Sequence, residues 1–190
     1  MNELKNTQKM KTIYTLLICF LFIYNMNSQE QYLTKNGVIK FFSSTPIEDI
    51  KAENNQVLSI IDASTKKMAI SILIKSFLFE KALMQEHFNE NYLESDKFPK
   101  ATFKGDILNF NKIGGLENKY DVKGIMTIHG VSKEIVIPSI FTRIGDTIFV
   151  KGEFNLFLED FAIKIPRLVV KKIAKEIKVT FEFNHKPYNR

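Results

Sequence analysis

The sequence predicts an all-β fold of antiparallel strands interrupted by one amphipathic helix. Three observations carry that expectation. From residue 30 onward apolar and polar residues alternate with period two, the spacing of a strand with one buried and one wet face. The alternating runs are short and separated by turn residues, the pattern of a sandwich or barrel. A single stretch, 77–91, changes to helical spacing. With 45% hydrophobic and 25% charged residues, 8 Gly and 5 Pro among 190, the chain is excluded from the disordered, collagen-like and low-complexity classes. A chain of that length buries on the order of two thirds of its unfolded surface, enough for one domain around one core.

At the N-terminus, Lys5, Lys9 and Lys11 precede the apolar run Ile13 to Tyr24, and the polar stretch Asn25 to Glu30 follows. This is the layout of a secretory signal peptide over residues 1–28, cleaved after Ser28. The apolar run is too short for the roughly 20 residues that span a bilayer as a helix, which disfavours an uncleaved anchor. Cys19 is the one cysteine; Ile18 before it and the apolar run beyond it argue against a lipoprotein site. Cleavage would leave residues 29–190 as one domain without cysteine, suited to a periplasmic or secreted, oxidising location. No intramolecular disulfide or cysteine-based metal cluster is then available. The formal charge is +6 for the whole chain. Its basic residues are spread rather than gathered in a stripe, so a nucleic-acid partner is not expected.

In chain order, Tyr32 to Lys35 and Val38 to Phe42 flank Asn36-Gly37, the pair that suits a type I′ hairpin turn. Eight strands are expected: Val38 to Ser43, Gln56 to Asp62, Lys67 to Lys75, Thr102 to Phe110, Tyr120 to His129, Lys133 to Phe141, Thr147 to Phe157 and Ile173 to Phe183. Asp49 to Ala52 adds a shorter piece. Alternation is cleanest at Met68, Ile70, Ile72 and Ile74, and again at Ile177, Val179, Phe181 and Phe183. Gly124 falls on the apolar side of its strand, where a barrel bends sharply. Between residues 77 and 91, Leu83, Met84, His87 and Phe88 fall on one side of a helix and Gln85, Glu86, Asn89 and Glu90 on the other. The turn Ser95 to Pro99 ends it. A lone helix among strands serves best as a cover across an open barrel end.

The stretch Glu80 to Phe103, above all Ser95-Asp96-Lys97-Phe98-Pro99-Lys100-Ala101-Thr102-Phe103, and the segment Gly124 to Lys133 with Thr127-Ile128-His129-Gly130-Val131-Ser132-Lys133 resemble the YceI-like family of secreted bacterial lipocalin-like proteins. Asp160-Phe161-Ala162-Ile163 is a weaker echo of that family's late loop. The resemblance implies an eight-stranded antiparallel lipocalin-like barrel with an inserted helix. It also implies an interior that holds a polyisoprenoid or quinone-type lipid, for carriage or sequestration without catalysis and without a further cofactor. Where the family often places an Arg-Asp and a His-Leu pair, this chain has Glu80, Lys81 and His87-Phe88. That departure bears on head-group recognition and leaves the apolar tunnel untouched.

Eight strands enclose a space just wide enough for packed side chains or one slender ligand. Seventeen Phe and no Trp give large apolar area without indole donors. Each buried methylene contributes roughly 0.8 kcal/mol, so a long isoprenoid gains more than association costs. The candidate wall is Met68, Ile70, Ile72 and Ile74 from one strand, with Phe103, Met126, Phe154, Val179 and Phe181 from others. Leu83, Met84 and Phe88 join them from the helix. Taken singly, each of these reads first as ordinary core.

His87 is a candidate polar contact at the mouth, His129 an anchor for its hairpin, and His185 a residue of a frayed tail. No two histidines have metal-ligand spacing. There is no Gly-x-Ser-x-Gly elbow, and Gly114-Gly115 lies in a hairpin turn rather than before a helix, so nucleophile and phosphate-loop chemistry find no motif. Arg167, Lys171, Lys172 and Lys175 form a basic run that either holds an anionic head group or is a solvated face. The expected partner is an amphipathic lipid, with transient membrane contact and strand-paired homodimerisation as further options. The alternatives to a carrier are a small periplasmic enzyme with a polar cluster inside the barrel, and a structural module with a filled core.

Overall fold

In the computed structural model, residues 30–111 and 113–188 are described; the signal-peptide reading of residues 1–28 lies outside them. The strands are β1 (Gln31–Ser44), β2 (Asp49–Asp62), β3 (Lys67–Leu73), β4 (Leu78–Phe79), β5 (Lys100–Ile107), β6 (Asn118–Ile128), β7 (Val131–Ile144), β8 (Thr147–Phe157) and β9 (Glu176–Pro187). The helix α1 (Ala82–His87) follows β4 and continues into a π-helical turn, Phe88–Tyr92. Eight long strands pair antiparallel in chain order, with β3 next to β5, and β9 returns to β1 to close the ring. The two-residue β4 lies against β2 through Ala52↔Phe79 and Glu53↔Leu78. The fold is therefore the predicted eight-stranded antiparallel barrel with a short helix. The ring closes through β1 and β9, while β7 and β8 pair with each other only from Ser139↔Gly152 to Ile144↔Thr147, leaving the mouth-side lengths of both strands without a ladder between them. The two ends of the ring meet, Tyr188 donating its amide to the Gln31 carbonyl at 2.8 Å.

Alternation sets what faces the axis. Inward positions include Met68, Ile70, Phe103, Ile107, Val122, Met126, Ile137, Phe141, Ile148, Val150, Ile177, Val179, Phe181 and Phe183, all buried. Outward positions carry ion pairs between neighbouring strands, such as Lys40 with Glu53 at 3.0 Å, Lys123 with Glu134 at 3.0 Å and Lys178 with Glu153 at 2.7 Å. These exposed pairs contribute at most about 1 kcal/mol each, so inward burial is what holds the fold. The core is uneven along the axis. At the end where the chain enters, Val57, Ile61, Val122, Phe141, Ile148, Val150 and His185 are sealed from solvent and fill the barrel. The opposite end is where β1 turns into β2, and there the inward side chains leave space.

Several sequence expectations shift. Asn36-Gly37 is not a hairpin turn: β1 runs through it, with register irregularities between Thr34 and Gly37 and between Gly37 and Ile39. The missing side chain at Gly37 admits the Phe183 ring, and pairing to both β2 and β9 outweighs the local turn preference. The short piece from Asp49 belongs to one strand that reaches Asp62. Buried Asn54 bridges its irregularity, accepting from the Gln56 amide at 2.9 Å and donating to the Leu73 carbonyl at 2.9 Å. β3 ends at Leu73, and Ile74–Ser76 form a 3-10 turn. The last strand begins at Glu176, not Ile173, and extends past Phe183 to Pro187, so His185 lies within it rather than in a tail. The helix is shorter than 77–91 because Leu78 and Phe79 pair with β2 first.

Gly124 lies directly opposite Gly105, where the two strands approach closely. A Cβ there would run into the Lys104 carbonyl and the Gly105 backbone. Gly124→Ala is expected to destabilise the barrel by about 1–3 kcal/mol, read as a lowered urea midpoint; an unchanged midpoint would show that the two strands can separate freely.

Candidate functional site

The unfilled end of the barrel holds a cavity of about 490 Å³. Its depth is bounded by Phe183, whose ring stacks on Phe181 at 5.2 Å and meets His185 edge-on at 5.9 Å. Above that floor the wall is apolar on every side: Ile39 and Phe41 from β1, Ile70 and Ile72 from β3, Ala101 and Phe103 from β5, Met126 and Ile128 from β6, Phe154 and Leu156 from β8, Ile177 and Val179 from β9. The volume falls within the range of about 300–1,000 Å³ typical of small-molecule sites.

Three elements frame the mouth. The first is the turn between β1 and β2, which contributes Glu48 and Ile50. The second is the helical segment, held by a ring cluster: Phe88 packs on Phe41 (5.6 Å, stacked), Phe77 (5.5 Å) and Phe79 (5.0 Å). No residue of α1 itself is buried, and Leu83 is 60% exposed, so the helix lies over the opening rather than in the core. The third is the connection between β8 and β9, residues 162–175, which lends Ile163, Ile165, Val169, Lys172 and Ile173 to the lining. Its ends are tied: the Leu158 amide donates to the Lys175 carbonyl at 3.1 Å, and the Ala174 amide to the Ser43 hydroxyl at 2.9 Å. Lys133 pairs with Asp160 beside it.

The ionisable groups of the cavity gather at this rim. Lys81 pairs with Glu48 at 2.9 Å, joining the helix to the β1–β2 turn, and His87 and Lys172 line the same opening. The hydrogen bond from Lys81, with Lys172 nearby, holds the Glu48 carboxyl below its ordinary range. The rim thus sets two ammonium groups against one carboxylate, over an interior of hydrocarbon side chains. Such an arrangement can bind an apolar chain and hold a polar or anionic head at the exit.

The other histidines are structural. His129, at positive φ before Gly130, shares a 2.7 Å hydrogen bond with Glu94 and a longer one of 3.4 Å with the Phe161 carbonyl, while Phe98 packs edge-on at 4.7 Å. It anchors its hairpin chiefly through the Glu94 carboxylate, where the sequence suggested a backbone hydrogen bond, for which only the longer Phe161 contact serves. His185 is fully buried with its Nε2 2.8 Å from the Ser59 hydroxyl, and burial pushes its pKa from 6.5 down to about 4. Between those values the unfolded chain binds a proton that the folded chain refuses. Stability is therefore fully present above pH 6.5 and falls as the pH drops through the window to about 4, by roughly 3 kcal/mol in all. The carboxylates held low act at lower pH. In Asp62, burial opposes the hydrogen bonds from Ser64, Thr65 and Gln31, and the pKa still settles at about 2. Denaturant midpoints measured across the His185 window should slope for the wild type and flatten for His185→Gln; equal slopes would assign the effect elsewhere. Among the described residues no group of three or more His, Cys, Asp or Glu is placed to hold a metal ion.

Of the residues singled out from sequence, Ile70, Ile72, Ile74, Leu83, Met84, Phe88, Phe103, Met126, Phe154, Val179 and Phe181 line the cavity, with His87 at its rim. Met68 does not. It points inward but is packed in the filled half, 3% exposed, because alternation gives the side of a strand and not the depth along it. Sequence reasoning missed Phe41, Phe77 and Phe79, which the run of aromatics could have flagged. It also missed Glu48 and the lining face of residues 162–175, for which no periodic signal exists.

The sequence profile of the YceI-like domain matches residues 34–185. No curated protein matches the chain. Among solved structures, a polyisoprenoid binding domain from Saccharophagus degradans, implicated in plant cell wall breakdown, superposes with a TM-score of 0.73 at 14% identity, covering 85% of this chain and 100% of that one. Burkholderia cenocepacia BcnA gives 0.67 at 17% identity, with 78% and 95% covered. The Campylobacter jejuni YCEI protein gives 0.54 at 16% identity, with 87% and 89% covered. At these identities the likeness is one of fold, and it is the same closed barrel with its inserted helix. Matched by the domain profile from within β1 to within β9, the chain belongs to the YceI-like domain family.

Proposed function

We propose that the protein is an exported, non-catalytic carrier that holds one isoprenoid or similar amphipathic lipid per barrel. The observation that carries this reading is the apolar cavity of about 490 Å³, closed at one end by Phe183 and framed at the other by ionisable side chains. A hydrocarbon chain enters by replacing water against apolar walls, each methylene contributing roughly 0.8 kcal/mol. The head group then stays at the rim among Glu48, Lys81, His87 and Lys172. Apart from hydroxyls, those of Ser43 and Thr102 among them, the rest of the lining is apolar, so among the described residues no acid and base converge on a reacting atom inside. Membership of the YceI-like family and the polyisoprenoid-binding neighbour support binding rather than chemistry. The leader-like segment before residue 29 supports release into the periplasm or beyond.

Native mass spectrometry of protein purified from the periplasm, before and after solvent extraction, tests the reading. The expected result is one hydrocarbon amphiphile per chain, removed by extraction and regained on mixing with a polyprenyl lipid. Protein that carries no adduct and takes up none after extraction would overturn it.

A further inference from the structure

The rim of the cavity has an outer surface as well as a lining. Residues 161–175 read Phe-Ala-Ile-Lys-Ile-Pro-Arg-Leu-Val-Val-Lys-Lys-Ile-Ala-Lys, five cations and no acid. Within them Ile165, Val169 and Ile173 turn to the cavity, whereas Leu168 is 96% and Val170 44% exposed. The segment is fixed at both ends, and its middle makes backbone hydrogen bonds only to itself: Val169 to Pro166 at 3.0 Å and Lys172 to Val169 at 2.8 Å. The other two elements of the mouth also present large apolar side chains to solvent, Ile47 (58%) beside Glu48 and Leu83 (60%) on α1. Apolar tips set among cations, on a connection anchored to a rigid barrel, form the surface that inserts into a bilayer interface while the cations meet its phosphates. Among the described residues no helix is long and apolar enough to cross a membrane.

We propose that the rim formed by residues 164–173, Ile47 and Leu83 docks on the surface of an anionic phospholipid bilayer, with the cavity mouth facing the lipid. The carrier reading gives this docking its purpose: a ligand of this kind resides in bilayers, and a mouth pressed against one exchanges it without passing through water. The contact itself depends only on the exposed surface.

The test is co-sedimentation of the purified protein with vesicles of phosphatidylcholine alone and of phosphatidylcholine with phosphatidylglycerol in equal parts. Binding is expected to the anionic vesicles and not to the neutral ones, and to weaken as salt is raised. Arg167→Gln with Lys171→Gln should lower the partition coefficient roughly thirtyfold. Leu168→Ser with Val170→Ser should lower it at least tenfold. All four positions lie outside the cavity lining and are solvent-facing, so the melting temperature and the lipid retained in native mass spectrometry should not change. Equal, weak binding to both vesicles, or double variants that bind as the wild type does, would overturn the proposal. So would a concentration-dependent dimer that the Leu168→Ser, Val170→Ser variant loses, since the rim would then be an interface between copies. Vesicle binding by a protein that never carries lipid would instead refute the carrier reading and leave the docking surface standing.

Discussion

Ile72→Asp is expected to abolish lipid retention while the barrel stays folded. Ile72 lines the cavity on β3 opposite Ala101 and is only half-buried. In the empty protein a carboxylate there is hydrated through the open mouth. Once hydrocarbon fills the cavity, the same carboxylate must lose its water without gaining a partner, which costs several kcal/mol. A penalty of about 3 kcal/mol lowers affinity by roughly a hundredfold, so the bound fraction in native mass spectrometry should vanish and Ile72→Leu should restore it. Retention unchanged in an Asp variant with a normal circular dichroism melt would mean that the ligand lies elsewhere.

Phe183→Ala should have the largest effect on stability and should also lengthen the cavity. Phe183 is 1% exposed and separates the open half from the filled half. Deleting a buried phenyl costs about 3–5 kcal/mol, which lowers the melting temperature by roughly 10 °C in a domain of this size. The space it vacates joins the cavity, so longer chains should be retained relative to shorter ones. A built-in control exists at Gly37, where an added Cβ would lie 2.5 Å from that ring. Gly37→Ala should destabilise the wild type and be tolerated in the Phe183→Ala background. Additive losses in the double variant would show that the ring does not occupy the space over β1.

The strands could be read from sequence where burial alone decides, as at Met68–Ile72 and Ile177–Phe183, because period two has no competing explanation there. Asn36-Gly37 misled because a turn pair is a local preference of about 1 kcal/mol, while two flanking ladders and the Phe183 ring act from far along the chain. His185 shares its side of the strand with Phe183 and Phe181; the signal was present, but nearness to the chain end suggested a loose tail. The cavity wall could be read from alternation. Of its mouth, only the helical cover and His87 could be. Glu48 and Lys81 lie 33 residues apart, and the β8–β9 connection is irregular, so nothing in local spacing brings them together.

The meeting of the first and last strands has a consequence for what bounds the opening. Gln31 and Tyr188 lie together at the plugged base, so the first and last strands both have an end there, opposite the opening. β1 is 14 residues long, which separates base from opening by on the order of 40 Å along a tilted strand. Among the described residues the opening is thus bounded by internal connections alone, the β1–β2 turn, the helical segment and the β8–β9 connection, so its shape can vary without disturbing the strand pair that closes the ring.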